Sequence, residues 1–363
     1  MHRILVSVLA SMLLVSGAAA AASAEAPSCT AAVTEDTELH TAMLKISPEE
    51  FSALGFRFGD SCNIRFPDGQ ELKDIPYYNG YYTRSGEPLL VLYPGYEYIH
   101  LSINNGDPSW TFYGFREGGT VTVTLAQAGK YTAIQDAMNT VYTNDRTDYP
   151  DDAAFANFRA MAGGRLKKDT FYRGASPADN TYGRAPYADR LLRDAGIRFV
   201  LDLADTEEKL RDSSEASHSE YLLSLAESGL VDPLSLTSAY LSEPFRQSLV
   251  SGLREMMKHE GPYYIHCQEG KDRTGFVCML LEALCGASEA ELEADYMKTY
   301  DNYYGIAPGS DRYEAIRTVK FLDLLSLLAG PGGDPEAGAR DYLLGSGMTA
   351  QEADSLARFL SGE

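Results

Sequence analysis

Three regimes of hydrophobic patterning follow one another along this chain. Residues 4–15 form an almost uninterrupted apolar run behind His2 and Arg3, and an alanine-rich stretch follows it. From residue 56 to about 128, apolar positions alternate or gather in short β-branched and aromatic stretches: FRFGDSCNIRF, EPLLVLY, YEYIHLSI and GTVTVTLA. The turn sequences PDG, NNGD and EGG separate them. Period-two stretches broken by glycine-bearing turns predict strands, here a small, mostly β, barrel-like module. Just ahead of it, ISPEEFSALGF (46–56) predicts a short helix, with Ser47 as N-cap, Pro48 in the first turn and Gly55 as the stop. Residues 25–45 are polar and weakly patterned and read as a leader to this module.

Beyond residue 129 the period changes. KYTAIQDAMNTVY and DDAAFANFRAMA read as helical, and 129–150 is expected to be a helical connector. From 151 onward strands and helices alternate. FYR (171–173) predicts a short strand, APYADRLLRDAG (185–196) an amphipathic helix stopped by Gly196, and IRFVLDLA (197–204) a buried strand. SEPFRQSLVSGLREMMKHEG predicts a helix with Phe245, Leu249, Leu253 and Met256 on one face, and PYYIHC a further strand. Ser288 with Glu291, and Thr349 with Glu352, form capping boxes for two later helices, while AGPGGDPEAGA (329–339) reads as a loop. The alternation predicts an α/β domain over 151–363, a parallel sheet flanked by helices, preceded by the smaller mostly β domain at 25–128.

Composition changes this picture in three places. With 363 residues and 44% hydrophobic residues, the chain can bury sizeable cores, which excludes global disorder. A net charge of −21 disfavours nucleic acid and anionic membranes as partners. It also repels phosphorylated ligands, so a site for them must be locally positive. The N-terminal pattern, with Ala22-Ser23-Ala24 as a small-x-small cleavage site, predicts a secretory signal peptide over 1–24. The run is short for a bilayer span, so the expected product is secreted or in the cell envelope, with no transmembrane segment after cleavage. Of five cysteines, Cys278 and Cys285 lie in an apolar helical run as buried thiols, and Cys29–Cys62 is a candidate disulfide in an oxidising compartment. No CxxC pair or His/Cys cluster is present, so no metal and no cofactor are expected.

The candidate chemistry lies in HCQEGKDRTG (266–275), between the apolar runs GPYYI and FVCMLLEALC. A strand enters, a short loop turns and a helix leaves. Free N–H groups at a helix N-terminus carry partial positive charge, and a loop of this length can wrap them round a tetrahedral dianion. Gly270 and Gly275 permit close approach, and Arg273 can grip two phosphate oxygens with its planar fork. The same field favours ionisation of Cys267, whose thiolate is then placed for in-line attack on phosphorus. Thr274 can donate a hydrogen bond to that sulfur. The candidate site is therefore Cys267 and Arg273 for catalysis, with His266, Gln268, Glu269, Gly270, Lys271, Thr274 and Gly275 shaping the phosphate cradle.

The string His266-Cys267-x5-Arg273-Thr274-Gly275 resembles the active-site loop of cysteine-dependent protein tyrosine phosphatases, most of all a bacterial group whose loop reads HCxxGKDRTG. NFRAMAGGRLKKDTFYRGASP (157–177), GIRFVLDLADTEEK (196–209) and YLLGSGMTAQEADSL (342–356) are similar to other segments of that group, so the resemblance covers roughly 150–363. It implies phosphate-ester hydrolysis through a cysteinyl-phosphate, with phosphoprotein or phosphoinositide substrates. It also implicates a loop aspartate, here Asp272, in catalysis. Asp205, at the carboxyl end of a strand, is the second candidate for the general acid, and Asp202 is read as a structural acceptor. No Trp-Pro-Asp loop is present, since the single tryptophan is Trp110 in the β module. His266 is read as orienting the loop. Lys271, a second loop cation, suits either support of the loop or substrates with an extra phosphate, and Arg173 and Arg184 are either substrate contacts or surface charge. In the β module, residues 86–107 and 117–123 resemble the small β-barrel domain of SAM-dependent halogenases and hydroxide adenosyltransferases, without a catalytic motif. The expected function is a secreted phosphotyrosine-type phosphatase. The alternatives are a phosphoinositide or inositol-phosphate phosphatase with the same mechanism, and an inactive phosphate- or surface-binding protein.

Overall fold

Residues 26–363 apart from residue 331 are described by a computed structural model. The signal-peptide reading at 1–24 lies outside the described residues. Among them, no helix is long and apolar enough to cross a membrane.

In the N-terminal part, β1 (Ser28–Glu35), β2 (Ala42–Leu44), β3 (Ser61–Arg65), β4 (Glu71–Tyr78), β5 (Pro88–Val91), β6 (Ile99–Ile103) and β7 (Thr120–Gln127) close into a barrel in the order β1-β2-β6-β5-β4-β3-β7. All pairs are antiparallel except β4 with β5. Val33, Leu44, Ile64, Leu90, Leu101 and Val123 are fully buried, and Phe51 of the helix Pro48–Ala53 joins the same core. That helix has the expected Ser47 N-cap, and Glu50 completes a capping box with it. Within the 25–45 stretch, the described residues 26–45 are not a leader: β1 turns Ala31 and Val33 inward and closes the barrel against β7. Three small apolar residues, Ala31 to Val33, among threonines, a serine, a cysteine and a glutamate give too weak a pattern to reveal a strand whose pairing comes from a partner some ninety positions away, as at Cys29 opposite Val123. Cys29 and Cys62 are free thiols on β1 and β3, the strands on either side of β7. Two strand spacings put them about 10 Å apart, beyond the reach of a disulfide. Of the tyrosines, Tyr77 and Tyr78 are core residues, whereas Tyr93 is 49% exposed.

The second sheet contains β8 (Arg159–Ala160), β9 (Phe171–Gly174), β10 (Phe199–Asp202), β11 (Val231–Pro233) and β12 (Tyr263–His266), in the order β11-β10-β12-β9-β8. Four strands are parallel, but β8 runs antiparallel to β9 at the edge. The sheet is thus mixed rather than wholly parallel, because the short β8 folds back onto β9 instead of crossing over through a helix. The central β12 is buried along its length, as the apolar run YYI requires. The 329–339 stretch is not all loop: Asp334 caps a helix Pro335–Gly345, with Pro335 in its first turn.

The two parts touch along 311–329, where the helices Asp311–Ile316 and Leu322–Ala329 are joined by a π turn, Arg317–Phe321. Ser85 of the barrel donates its N–H (2.9 Å) and hydroxyl (2.7 Å) to the Asp323 carboxylate, and Lys320 Nζ donates to the Tyr81 carbonyl at 2.7 Å. Tyr82 packs against the larger core of the second part.

Candidate active site

Cys267 follows the last residue of β12, between β10 and β9, and is 3% exposed. The helix Asp272–Leu284 leaves the loop with residues 274–284 all buried, which fixes its N-terminus against the sheet. Gly270 has φ +66°, and a Cβ there would stand 2.2 Å from the Gly174 carbonyl oxygen, so the loop lies directly on the β9 backbone. At Gly275 a Cβ would come within 2.9 Å of the Tyr296 ring.

Three successive loop carbonyls are tied away from the loop centre. Gln268 O accepts from Ser176 N–H (3.0 Å), Glu269 O from the Tyr303 hydroxyl (2.7 Å), and Gly270 O from Arg173 Nη2 (2.9 Å) and Asn157 Nδ2 (3.2 Å). In a trans peptide the N–H points opposite to the carbonyl. The N–H groups of Glu269, Gly270 and Lys271 are therefore turned to the other side, where none meets a protein acceptor among the described residues. Neighbouring free N–H groups on one side of a loop are the arrangement that suits an anion.

Behind it lies a charge network that sequence reading missed. Arg173 and Arg159 both grip Asp295, with Arg159 Nε 2.7 Å from Asp295 Oδ1. Burial works to raise the Asp295 pKa, but the two guanidiniums outweigh it and hold the carboxyl below the ordinary aspartate range. Arg173 and Arg184 are not surface charge, since each is 1% exposed. Arg173 positions the loop, and Arg184 sits over the rings of Tyr303 (4.5 Å) and Tyr142 (4.7 Å). Arg173 and Asp295 stand more than a hundred positions apart in the chain, so no local spacing signals the pair.

The remaining candidates divide by exposure and partner. Arg273 is partly buried and Nη1 donates to the Leu236 carbonyl at 2.9 Å. Lys271 Nζ lies 3.3 Å from Glu269 Oε2, 3.4 Å from the Tyr304 hydroxyl and 3.9 Å from Asp272 Oδ2. Burial opposes its charge, but Asp272 and Glu269 overcome that and push its pKa above the ordinary lysine value. Asp272 is 51% exposed at the start of the helix. Asp205 is closed off from solvent, with Lys209 Nζ at 2.7 Å. Asp202 Oδ1 accepts from the N–H groups of Ala204 (2.8 Å) and Asp205 (3.3 Å), which makes it the acceptor for the turn after β10. His266 is buried with Nδ1 3.2 Å from the Cys267 carbonyl and 3.8 Å from Asp202. Gln268 Nε2 donates to Asp179 at 3.0 Å, and the buried Thr274 hydroxyl has no partner among the described residues. Burial pushes the Cys285 thiol up to about 11 and Cys278 higher still.

Residues 153–326 match the profile described as the tyrosine phosphatase family. The segment that carries the loop is similar to that family. Every loop residue described above lies within the matched segment. No curated protein matches the chain. Among solved structures, an uncharacterised conserved protein from Thermotoga maritima overlaps 28% of this chain and 37% of its own at 19% identity, with a TM-score of 0.25. The chain thus spans little more than a third of that relative. The core catalytic domain of the PP-IP phosphatase SIW14 from S. cerevisiae overlaps 47% of this chain and 94% of its own at 14% identity (TM-score 0.25). TpbA from P. aeruginosa overlaps 56% and 96% at 17% identity (TM-score 0.26).

Proposed function

We propose that the phosphatase domain hydrolyses phosphate monoesters of the phosphotyrosine type through a cysteinyl-phosphate on Cys267. The observation that carries this reading is the polarity of the loop: its carbonyls are tied outward and its N–H groups are free on the side opposite. In the first step the Cys267 thiolate bonds to phosphorus as the P–O ester bond breaks, and the departing oxygen takes a proton from a carboxylic acid. In the second, a water oxygen attacks phosphorus, the S–P bond breaks, and the carboxylate takes the water's proton. The N–H groups of residues 269–271, the helix N-terminus and Arg273 meet the equatorial oxygens in both steps. The unpartnered Thr274 hydroxyl supplies a donor for the sulfur. Its half-exposed position supports Asp272 as the acid, whereas Asp205 is sealed from solvent and engaged by Lys209.

The phosphoinositide reading rests on Lys271, whose ammonium is here engaged by Glu269. Retention of Cys267, Arg273 and both aspartates speaks against an inactive binding protein. Export rests on the pattern of residues 1–24, and an accessory role for the barrel on its docking along 311–329. The test is phosphate release by the protein from a phosphotyrosine peptide and a short-chain phosphoinositide in parallel, with EDTA and reductant present. Release from the peptide that is lost in Cys267→Ser is the expected result. Release that survives Cys267→Ser overturns the mechanism, and preference for the lipid overturns the substrate.

A further inference from the structure

Lysine has three ammonium hydrogens, and Lys271 faces three oxygens: Glu269 Oε2 (3.3 Å), the Tyr304 hydroxyl (3.4 Å) and Asp272 Oδ2 (3.9 Å). Glu269 is itself held on two sides. Its Oε1 accepts from the Tyr142 hydroxyl at 2.5 Å, and its backbone carbonyl accepts from Tyr303 at 2.7 Å. Burial, and after it the Glu269 carboxylate, keep the Tyr142 hydroxyl protonated and hence a donor. Tyr142 stacks on Tyr303 with ring centroids 5.5 Å apart, and the Arg184 guanidinium caps both rings. The carboxylate is therefore fixed beside Lys271, only 17% exposed, and not free to swing into water. Between Gln268 and Arg273 the charges of Glu269 and Asp272 cancel those of Lys271 and Arg273.

We infer that Glu269 is a specificity-determining residue, clamping Lys271 so that the site favours singly phosphorylated esters over substrates with a second, adjacent phosphate. This inference rests on the phosphatase reading above. A second phosphate that approaches Lys271 meets a fixed carboxylate and must displace it from the ammonium. A single phosphate held by the loop N–H groups and Arg273 makes no such demand.

The test compares wild type, Glu269→Gln and Glu269→Gln/Lys271→Ala on two substrates, a phosphotyrosine peptide and a short-chain phosphatidylinositol bisphosphate. Glutamine keeps an acceptor for Tyr142 but removes the charge. In Glu269→Gln the ratio of kcat/KM for the bisphosphate to that for the peptide should rise about tenfold, equivalent to about 1.4 kcal/mol, with the gain in KM. The double variant should lose the gain, because Lys271 is what the clamp restrains. An unchanged ratio, or a gain that survives Lys271→Ala, overturns the inference. The same comparison of binding, by calorimetry in a Cys267→Ser background with the soluble bisphosphate headgroup and phosphotyrosine, needs no turnover. If wild type hydrolyses neither substrate the phosphatase reading falls, and the Kd ratio still decides the clamp.

Discussion

Replacing Asp295 by Asn tests whether the charge network behind the loop holds the loop in shape. The Asp295 side chain is 8% exposed and serves both Arg159 and Arg173, and Arg173 carries the Gly270 carbonyl. The amide keeps the size and removes the charge, so two nearly buried guanidiniums lose their counter-ion. Breaking a buried ion pair from one side costs about 3–5 kcal/mol. Glu282 offsets part of that. Burial, and then the charge of Asp295, hold Glu282 protonated beside the same arginines, and loss of Asp295 lets it ionise. The expected cost is near the lower end, about 3 kcal/mol, or a fall in Tm of about 6–12 °C for a domain of this size. Differential scanning calorimetry of Asp295→Asn, Glu282→Gln and the double variant reads this, and the double variant should lose more than the sum of the singles. The acid limb gives a second readout. The folded Asp295 pKa is depressed, so its contribution is fully present above the unfolded value of about 3.9 and is lost as pH falls through the lower folded value. Asp295→Asn should lack that component. A variant that melts within about 1 °C of wild type, with an unchanged acid limb, would refute the reasoning.

His100 in the barrel is 2% exposed, and burial, only partly opposed by Asp36, lowers its pKa from 6.5 to about 4. Its unfolded state binds the extra proton, so barrel stability should be full above pH 6.5 and fall by up to about 3 kcal/mol as pH drops to 4; urea melts across that range check it, and His100→Gln should flatten the slope. Gly270→Ala places a methyl against the rigid β9 backbone at a left-handed φ, and steady-state kinetics on a phosphotyrosine peptide should show kcat/KM down about 100-fold or more; a loss under threefold would mean the loop does not depend on that contact. Asp272→Asn should lower kcat much more for a peptide than for an activated aryl phosphate whose leaving group needs no proton, while Asp205→Asn should act on both alike; the reverse pattern would exchange their roles.

The loop was legible because its residues are local: cysteine, arginine and glycines fall within ten residues, between a strand and a helix that each announce themselves. The N-cap at Ser47 and the capping boxes at Ser288 and Thr349 were legible for the same reason, since each is written within four residues. What escaped notice is written across the chain. β1 has little pattern of its own and becomes a strand through β7 and β2. The antiparallel β8 is two residues long. Asp295, Asn157, Tyr142 and Tyr303 look like ordinary helix and connector residues, and only folding gathers them round residues 269–270. Arg173 and Arg184 were seen as charges, and their burial could not be read without the carboxylate and rings that receive them.

The docking of the barrel on 311–329 bears on how this chain can be cut and recombined. The family match ends at residue 326 and so includes Lys320 and Asp323, the side chains that receive the barrel. A fragment trimmed to the match would keep the socket and discard the plug. It would present to water the apolar surface that Tyr82 covers, and would leave the Asp323 carboxylate without its Ser85 donors. Grafting the matched half onto another carrier therefore calls for the barrel to travel with it, or for that surface to be redesigned first.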